Sequence, residues 1–135
     1  MRNLALSYTN QDIEGFKALL HERYVYIISE TKTRSREFTI NAVNFMFDTA
    51  TTIRAEISGG EWQLVKTFAG EDCPGCWSTN REFIMRIATP DLQEKEIRTQ
   101  VRFIVAPVEA SGMVKYKLRG EASPELDPET AKDIK

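Results

Sequence analysis

Two cysteines stand three apart at Cys73-Pro-Gly-Cys76, and the one histidine is His21. A Cys-x-x-Cys pair supports three kinds of chemistry: a redox couple, half of a metal site, or a covalent clip. A redox couple works when its first thiol lies at a helix N-terminus, where the dipole lowers the thiol pKa. Here the flanking segments read as strands, and Glu71 and Asp72 precede the pair. Negative charge raises a thiol pKa. A structural zinc takes four ligands, so the pair would need completion across a dimer, and no metal or cofactor is expected. What remains is a small disulfide in an oxidising compartment or two free thiols in a reducing one. A bridge closing so few residues removes little chain entropy, so it would stiffen its loop more than the fold.

His21 titrates near neutrality, which makes it a candidate general base. It follows Leu20 and precedes Glu22 and Arg23, which is the setting of a surface residue at a helix end. The aromatics Tyr24, Tyr26, Phe45, Trp62 and Trp77 fall near strand ends or on helix faces. They are expected to line a pocket for a small apolar or planar ligand, or simply to fill the core.

These residues need elements to position them. Thr9 to Asp12 fits a capping box. Ile13, Phe16, Leu19 and Leu20 then follow at helical spacing. Tyr24 to Ser29 is aromatic and β-branched, the composition of a strand. A polar loop follows, then a helix from Thr39 with Ile40, Val43, Met46, Phe47 and Ala50 on one side. The second half changes to period two. Ile97, Thr99, Val101, Phe103 and Val105 alternate with Arg98, Gln100, Arg102 and Ile104. Val114, Tyr116 and Leu118 alternate with Lys115, Lys117 and Arg119. Short links between such segments join antiparallel neighbours. The expected class is α+β: N-terminal helices on a curved, mainly antiparallel sheet enclosing a pocket. Residues 1–122 form one domain in this reading, and 123–135 form a polar tail.

Alternation puts Ile84, Arg86, Arg102, Ile104, Lys115 and Lys117 on the outer sheet face. Mixed charge with interspersed isoleucine suits either a solvated face or a homodimer interface. The same alternation puts Thr99 as the only polar residue on the inward face of the clearest strand and offers no inward carboxylate.

The chain has 135 residues, 41 % apolar, and a net charge of −2. That size suits one domain, and the charge argues against nucleic-acid or polybasic membrane binding. No apolar run approaches the roughly 20 residues of a membrane helix. The opening residues hold no secretory apolar region. Both an exported and a cytoplasmic protein fit.

The stretch Asn3-Leu4, Tyr8, Asn10 to Asp12, Leu19-Leu20 and Tyr24 to Ile27 resembles the opening of nuclear-transport-factor-2-like domains, including the polyketide-cyclase-like ones. The resemblance runs from about Asn3 to Ala122. It implies a cone in which a bent sheet wraps helices around a pocket, and it often accompanies pairing through the sheet. It does not choose a function, because such domains include enzymes, ligand binders and dimerisation modules. With no inward carboxylate in view, a non-catalytic ligand-binding or interaction module is the expectation. The alternative is a small pocket enzyme, an isomerase, cyclase or hydrolase, using His21 or a tyrosine.

Overall fold

The structure is a computed structural model that describes residues 1–29, 31–110 and 112–124. Helix α1 spans Arg2–Thr9 and α2 spans Ile13–Leu19. The cap between them divides the work differently from a capping box. Asp12 alone caps α2, its carboxylate accepting from the Gly15 N–H at 3.0 Å. The Thr9 hydroxyl instead accepts from the Ala55 N–H of β3 (Thr52–Ile57) at 3.0 Å, which ties α1 to the sheet. Gln11 sits in the left-handed region, φ 51. Its side-chain amide donates to the carbonyls of Phe47 and Ala50 at 2.8 and 3.0 Å, at the C-terminal end of α3 (Arg36–Thr49). One residue thereby satisfies two carbonyls that a helix end leaves without partners.

Helix α3 begins earlier than its apolar spacing suggested. Ser35 caps it, accepting from the Phe38 N–H at 3.1 Å. The polar segment before it forms β2 (Lys32–Ser35), a hairpin partner of β1 (Leu20–Ser29). Four further strands complete the sheet: β4 (Gln63–Phe68), β5 (Glu71–Thr89), β6 (Leu92–Ala110) and β7 (Met113–Ala122). Their order is β2-β1-β7-β6-β5-β3, with β4 added to β5. All pairs are antiparallel except β1 with β7. The α+β class expected from the sequence is the one observed.

The main core lies between the helices and the concave face. Phe16, Val43 and Phe47 meet Met85, Val101, Phe103 and Leu118 there. Tyr8 is edge-on to Phe16, Phe47 and Phe83, with ring centres 5.2–5.6 Å apart. A second, smaller core lies on the opposite face, where β4 and the start of β5 cover Ile27, Ile104, Ala106 and Ala122 with Val65, Phe68, Cys73 and Cys76.

This second core corrects part of the outer-face reading. Ile104 is 0 % exposed and belongs to no surface. Arg119, which alternates with the inward residues of β7, is 6 % exposed. Its guanidinium lies over the Phe68 ring, donates to the Arg23 carbonyl and faces Glu71. Farther along the sheet the outer charges pair within the chain. Arg98 bonds Glu82 and Glu96, Arg86 bonds Glu96 at 3.1 Å, and Arg54 bonds Glu94. The tail expected at 123–135 lies outside the described residues from 125 onward.

Candidate ligand-binding cavity

Alternation along β7 assigns Val114, Tyr116 and Leu118 inward, which would turn Glu121 outward. The backbone breaks that alternation. Val105 of β6 faces Leu118, while Ile104 faces Gly120. Arg119 is therefore an extra residue in β7, a β-bulge, and the phase reverses beyond it. Gly120 now points to the outer face, where a Cβ would overlap the Phe68 ring. Glu121 points inward, paired with Phe103 on one side and beside Tyr26 of β1 on the other.

The inward Glu121 lines a cavity of about 610 Å³ between the concave face and α1 and α3. Its walls include Tyr8, Tyr26, Val43, Phe83, Met85 and Val101. Phe38 and Gln100 mark its open side, since both are exposed. Arg34, Thr39 and Thr99 add polar groups to the wall, and the Arg34 guanidinium lies 4.6 Å from the Phe38 ring centre.

The Tyr24 hydroxyl donates to Oε2 of Glu121. Tyr24 is buried, so the bond forms deep in the wall. Burial disfavours the ionised carboxyl and pushes the Glu121 pKa up to about 7, although the Tyr24 bond pulls it down. Burial first, then the nearby Glu121 charge, pushes the Tyr24, Tyr8 and Tyr26 hydroxyls up as well. The three phenols thus stay protonated near neutrality, around a carboxyl that changes state there. A carboxyl with a pKa near neutrality can accept a proton from a bound molecule or give one back.

The residues singled out from sequence alone divide among several places. Tyr26 lines the cavity and Tyr24 holds its carboxyl from behind. Phe45 does not belong to it: it is 70 % exposed on the solvent side of α3. Trp62 and Trp77 line a different hollow at the other end of the sheet. His21 opens β1 rather than ending α2, and its Nδ1 accepts from the Arg23 N–H at 3.0 Å. Burial and the Arg119 charge push its pKa down. His21 lines neither cavity. Cys73 and Cys76 form a disulfide, with both residues buried in the second core. Among the described residues, no cluster of three or more His, Cys, Asp or Glu side chains is arranged to hold a metal. No helix among them is long and apolar enough to cross a membrane.

Solved structures share this architecture. A conserved protein from Planctomyces limnophilus matches with a TM-score of 0.71 at 12 % identity, over 90 % of this chain and 87 % of that one. A nuclear transport factor 2 superfamily protein from Salmonella enterica matches at 0.68 with 10 % identity, over 90 % and 82 %. A protein from Novosphingobium aromaticivorans, described as a putative scytalone dehydratase, matches at 0.64 with 10 % identity, over 90 % and 76 %. No protein-family profile matches the chain. No curated protein matches it. The chain has the nuclear-transport-factor-2-like fold, and at these identities the likeness extends to the fold alone.

Proposed function

We propose that this protein binds a small, largely apolar molecule in the cone cavity, through one carbonyl or hydroxyl oxygen held at Glu121. The observation that carries this reading is the Glu121–Tyr24 pair set in the wall of a cavity of about 610 Å³. That volume falls in the range of small-molecule sites, which combine apolar walls with few polar groups. A carboxyl accommodates more than one hydrogen bond, so Glu121 can bond a ligand while it keeps Tyr24. Below its pKa the carboxyl can donate to a carbonyl oxygen, and above it the carboxylate accepts from a hydroxyl.

A thermal-shift panel of neutral cyclic ketones and phenols tests this. Some members should stabilise the protein, ketones more strongly at pH 5 and phenols more strongly at pH 8. Glu121→Gln should remove that pH dependence and weaken phenol binding at pH 8 about three- to tenfold, because a neutral hydrogen bond replaces a charge-assisted one. Equal binding of hydrocarbons of the same shape would sink the proposal.

The same pKa favours a second reading, a small pocket enzyme. An ionised Glu121 would take a proton from the carbon beside a ketone carbonyl, leaving an enolate. The carboxyl proton would exchange with solvent through the open side, and the carboxyl would then return a proton to carbon. The putative scytalone dehydratase neighbour has this architecture too. In D2O, a ketone bound by the protein should acquire deuterium at that carbon, and Glu121→Gln should stop the exchange. Binding without exchange would leave a binder and remove the enzyme.

Pairing of two copies through the outer face is a separate proposal. It now rests on Ile84, Arg86, Arg102, Lys115 and Lys117 without Ile104. Light scattering should show a dimer that Ile84→Asp dissociates. A monomer at high concentration would end the idea.

A further inference from the structure

A second hollow, of about 540 Å³, opens at the other end of the sheet and, among the described residues, shares no lining residue with the Glu121 cavity. Its floor is apolar: Leu4 of α1 and Leu118 of β7 are buried, and Val105 of β6 lies beside them. Its walls are aromatic. Trp62, Trp77 and Tyr116 converge on it while remaining 41 %, 36 % and 52 % exposed. These are the only two tryptophans of the chain. Scattered exposed aromatics need no explanation, but a contiguous apolar hollow does.

The backbone that carries both indoles is fixed before anything binds. Trp62 lies in the link between β3 and β4, and Arg81 of β5 clamps that link. Its guanidinium donates to the Ser58 carbonyl at 3.0 Å and the Gly60 carbonyl at 3.2 Å. It also donates to Thr79 Oγ1 at 2.8 Å, and Thr79 is fully buried. The guanidinium then lies 5.3 Å from the Trp62 ring centre. The link packs so tightly on β5 that a Cβ at Gly60 would come 2.8 Å from the Asn80 carbonyl oxygen. Trp77 is held inside β5, opposite Leu64 and Val105, directly after the bridged Cys76. Walls already in place spare a ligand the entropy of ordering them.

The lining also selects the occupant. Among the described residues no charged side chain lines the hollow, and its polar side-chain groups are the Asn3 amide, the Tyr116 hydroxyl and the two indole N–H groups. Met1 also lines it, and burial, then the Arg81 charge, push the pKa of its α-ammonium down. A sugar carries hydroxyls around its whole ring and would leave most of them unpaired here. A flexible acyl chain would gain burial but no stacking on flat faces, and it would lose rotamer freedom on binding. A planar ring stacks on those faces, and an aromatic pair is favourable beyond its buried area. From this we infer that the hollow is a second ligand site, taking a neutral, planar, ring-bearing molecule between Trp62, Trp77 and Tyr116. Arg81 is its positioning residue. This site stands whether or not Glu121 binds a ligand.

The two indole N–H groups are its built-in reporters, giving two cross-peaks in a nitrogen–proton correlation spectrum. The probe is 2-naphthol, titrated into the labelled full chain, with glucose, decanol and a proline decamer as controls. Both indole peaks should move saturably with one dissociation constant. Tyr116→Ala should weaken that constant about three- to tenfold, and Arg81→Ala should do the same by freeing Trp62. Glu121→Gln should leave it unchanged. Static indole peaks would overturn the inference. So would equal binding of any control, or a Tyr116→Ala protein that binds as the original does.

Discussion

Glu121 is the residue on which the account turns, and its titration has a definite sign. Its pKa rises from the ordinary 4.5 to about 7 on folding because burial opposes its charge. The folded state therefore binds the proton more tightly than the unfolded state. The stability that Glu121 contributes should be fully present below about pH 4.5 and be lost as pH rises through about 7. Each pKa unit corresponds to roughly 1.4 kcal/mol, so the span is on the order of 3 kcal/mol. Urea unfolding across pH should show this decline, and Glu121→Gln should flatten it. Tyr24→Phe has the opposite use. The Tyr24 bond lowers the Glu121 pKa, so its removal should raise the pKa further, measurable by carbon NMR of the carboxyl. At this scale the sequence was only partly legible. Tyr24 and Tyr26 stand out by type and position, and both touch the site. His21 stands out by chemistry alone, and nothing in its surroundings carries it to either cavity.

Among the elements, β7 decides what the cavity contains. Strict alternation reads Glu121 as outward, and one extra residue at Arg119 turns it inward. A single sequence gives little sign of a bulge. The available hint is Gly120, since glycine inside a strand often marks a bulge or a close approach. Here it marks both, with Phe68 packed where its side chain would be. Gly120→Ala should therefore destabilise the protein by roughly 1–3 kcal/mol, the usual result of overpacking, measurable by denaturant unfolding. The helices were more legible, because their apolar stripes have one period throughout: Phe16 and Val43 with Phe47 lie buried as spaced. The Cys73–Cys76 bridge belongs to this scale too. It closes a short bulge in the β4–β5 hairpin, so the chain-entropy argument gives only roughly 2 kcal/mol. The Cys73→Ser/Cys76→Ser pair should lower the melting temperature modestly and broaden the Trp77 indole signal next to it. An unaltered Trp77 signal would mean that the bridge does not hold that wall.

The whole molecule uses both sheet faces. The concave face and helices build the Glu121 cavity at one end and the tryptophan hollow at the other, with the aromatic core between. The convex face is divided. β4 and the bridged hairpin cover one part as a second core, and a ladder of arginine–glutamate pairs occupies the other. Composition could not reveal this division, because covering the outer face depends on a hairpin that folds back over its own sheet. The ladder is exposed, and such pairs contribute about 0–1 kcal/mol each. Raising salt should accordingly change the unfolding free energy little. A steep loss would assign the ladder a larger structural role. The cone itself followed from helices first and a meander last, and that order is what the solved neighbours share.

The most direct test is a carbon NMR titration of the Glu121 carboxyl in the intact chain. The expected midpoint is near 7, moving upward in Tyr24→Phe. A midpoint near the ordinary 4.5 would mean an open, water-filled wall, and the cavity would lose the polar centre on which the proposed binding depends.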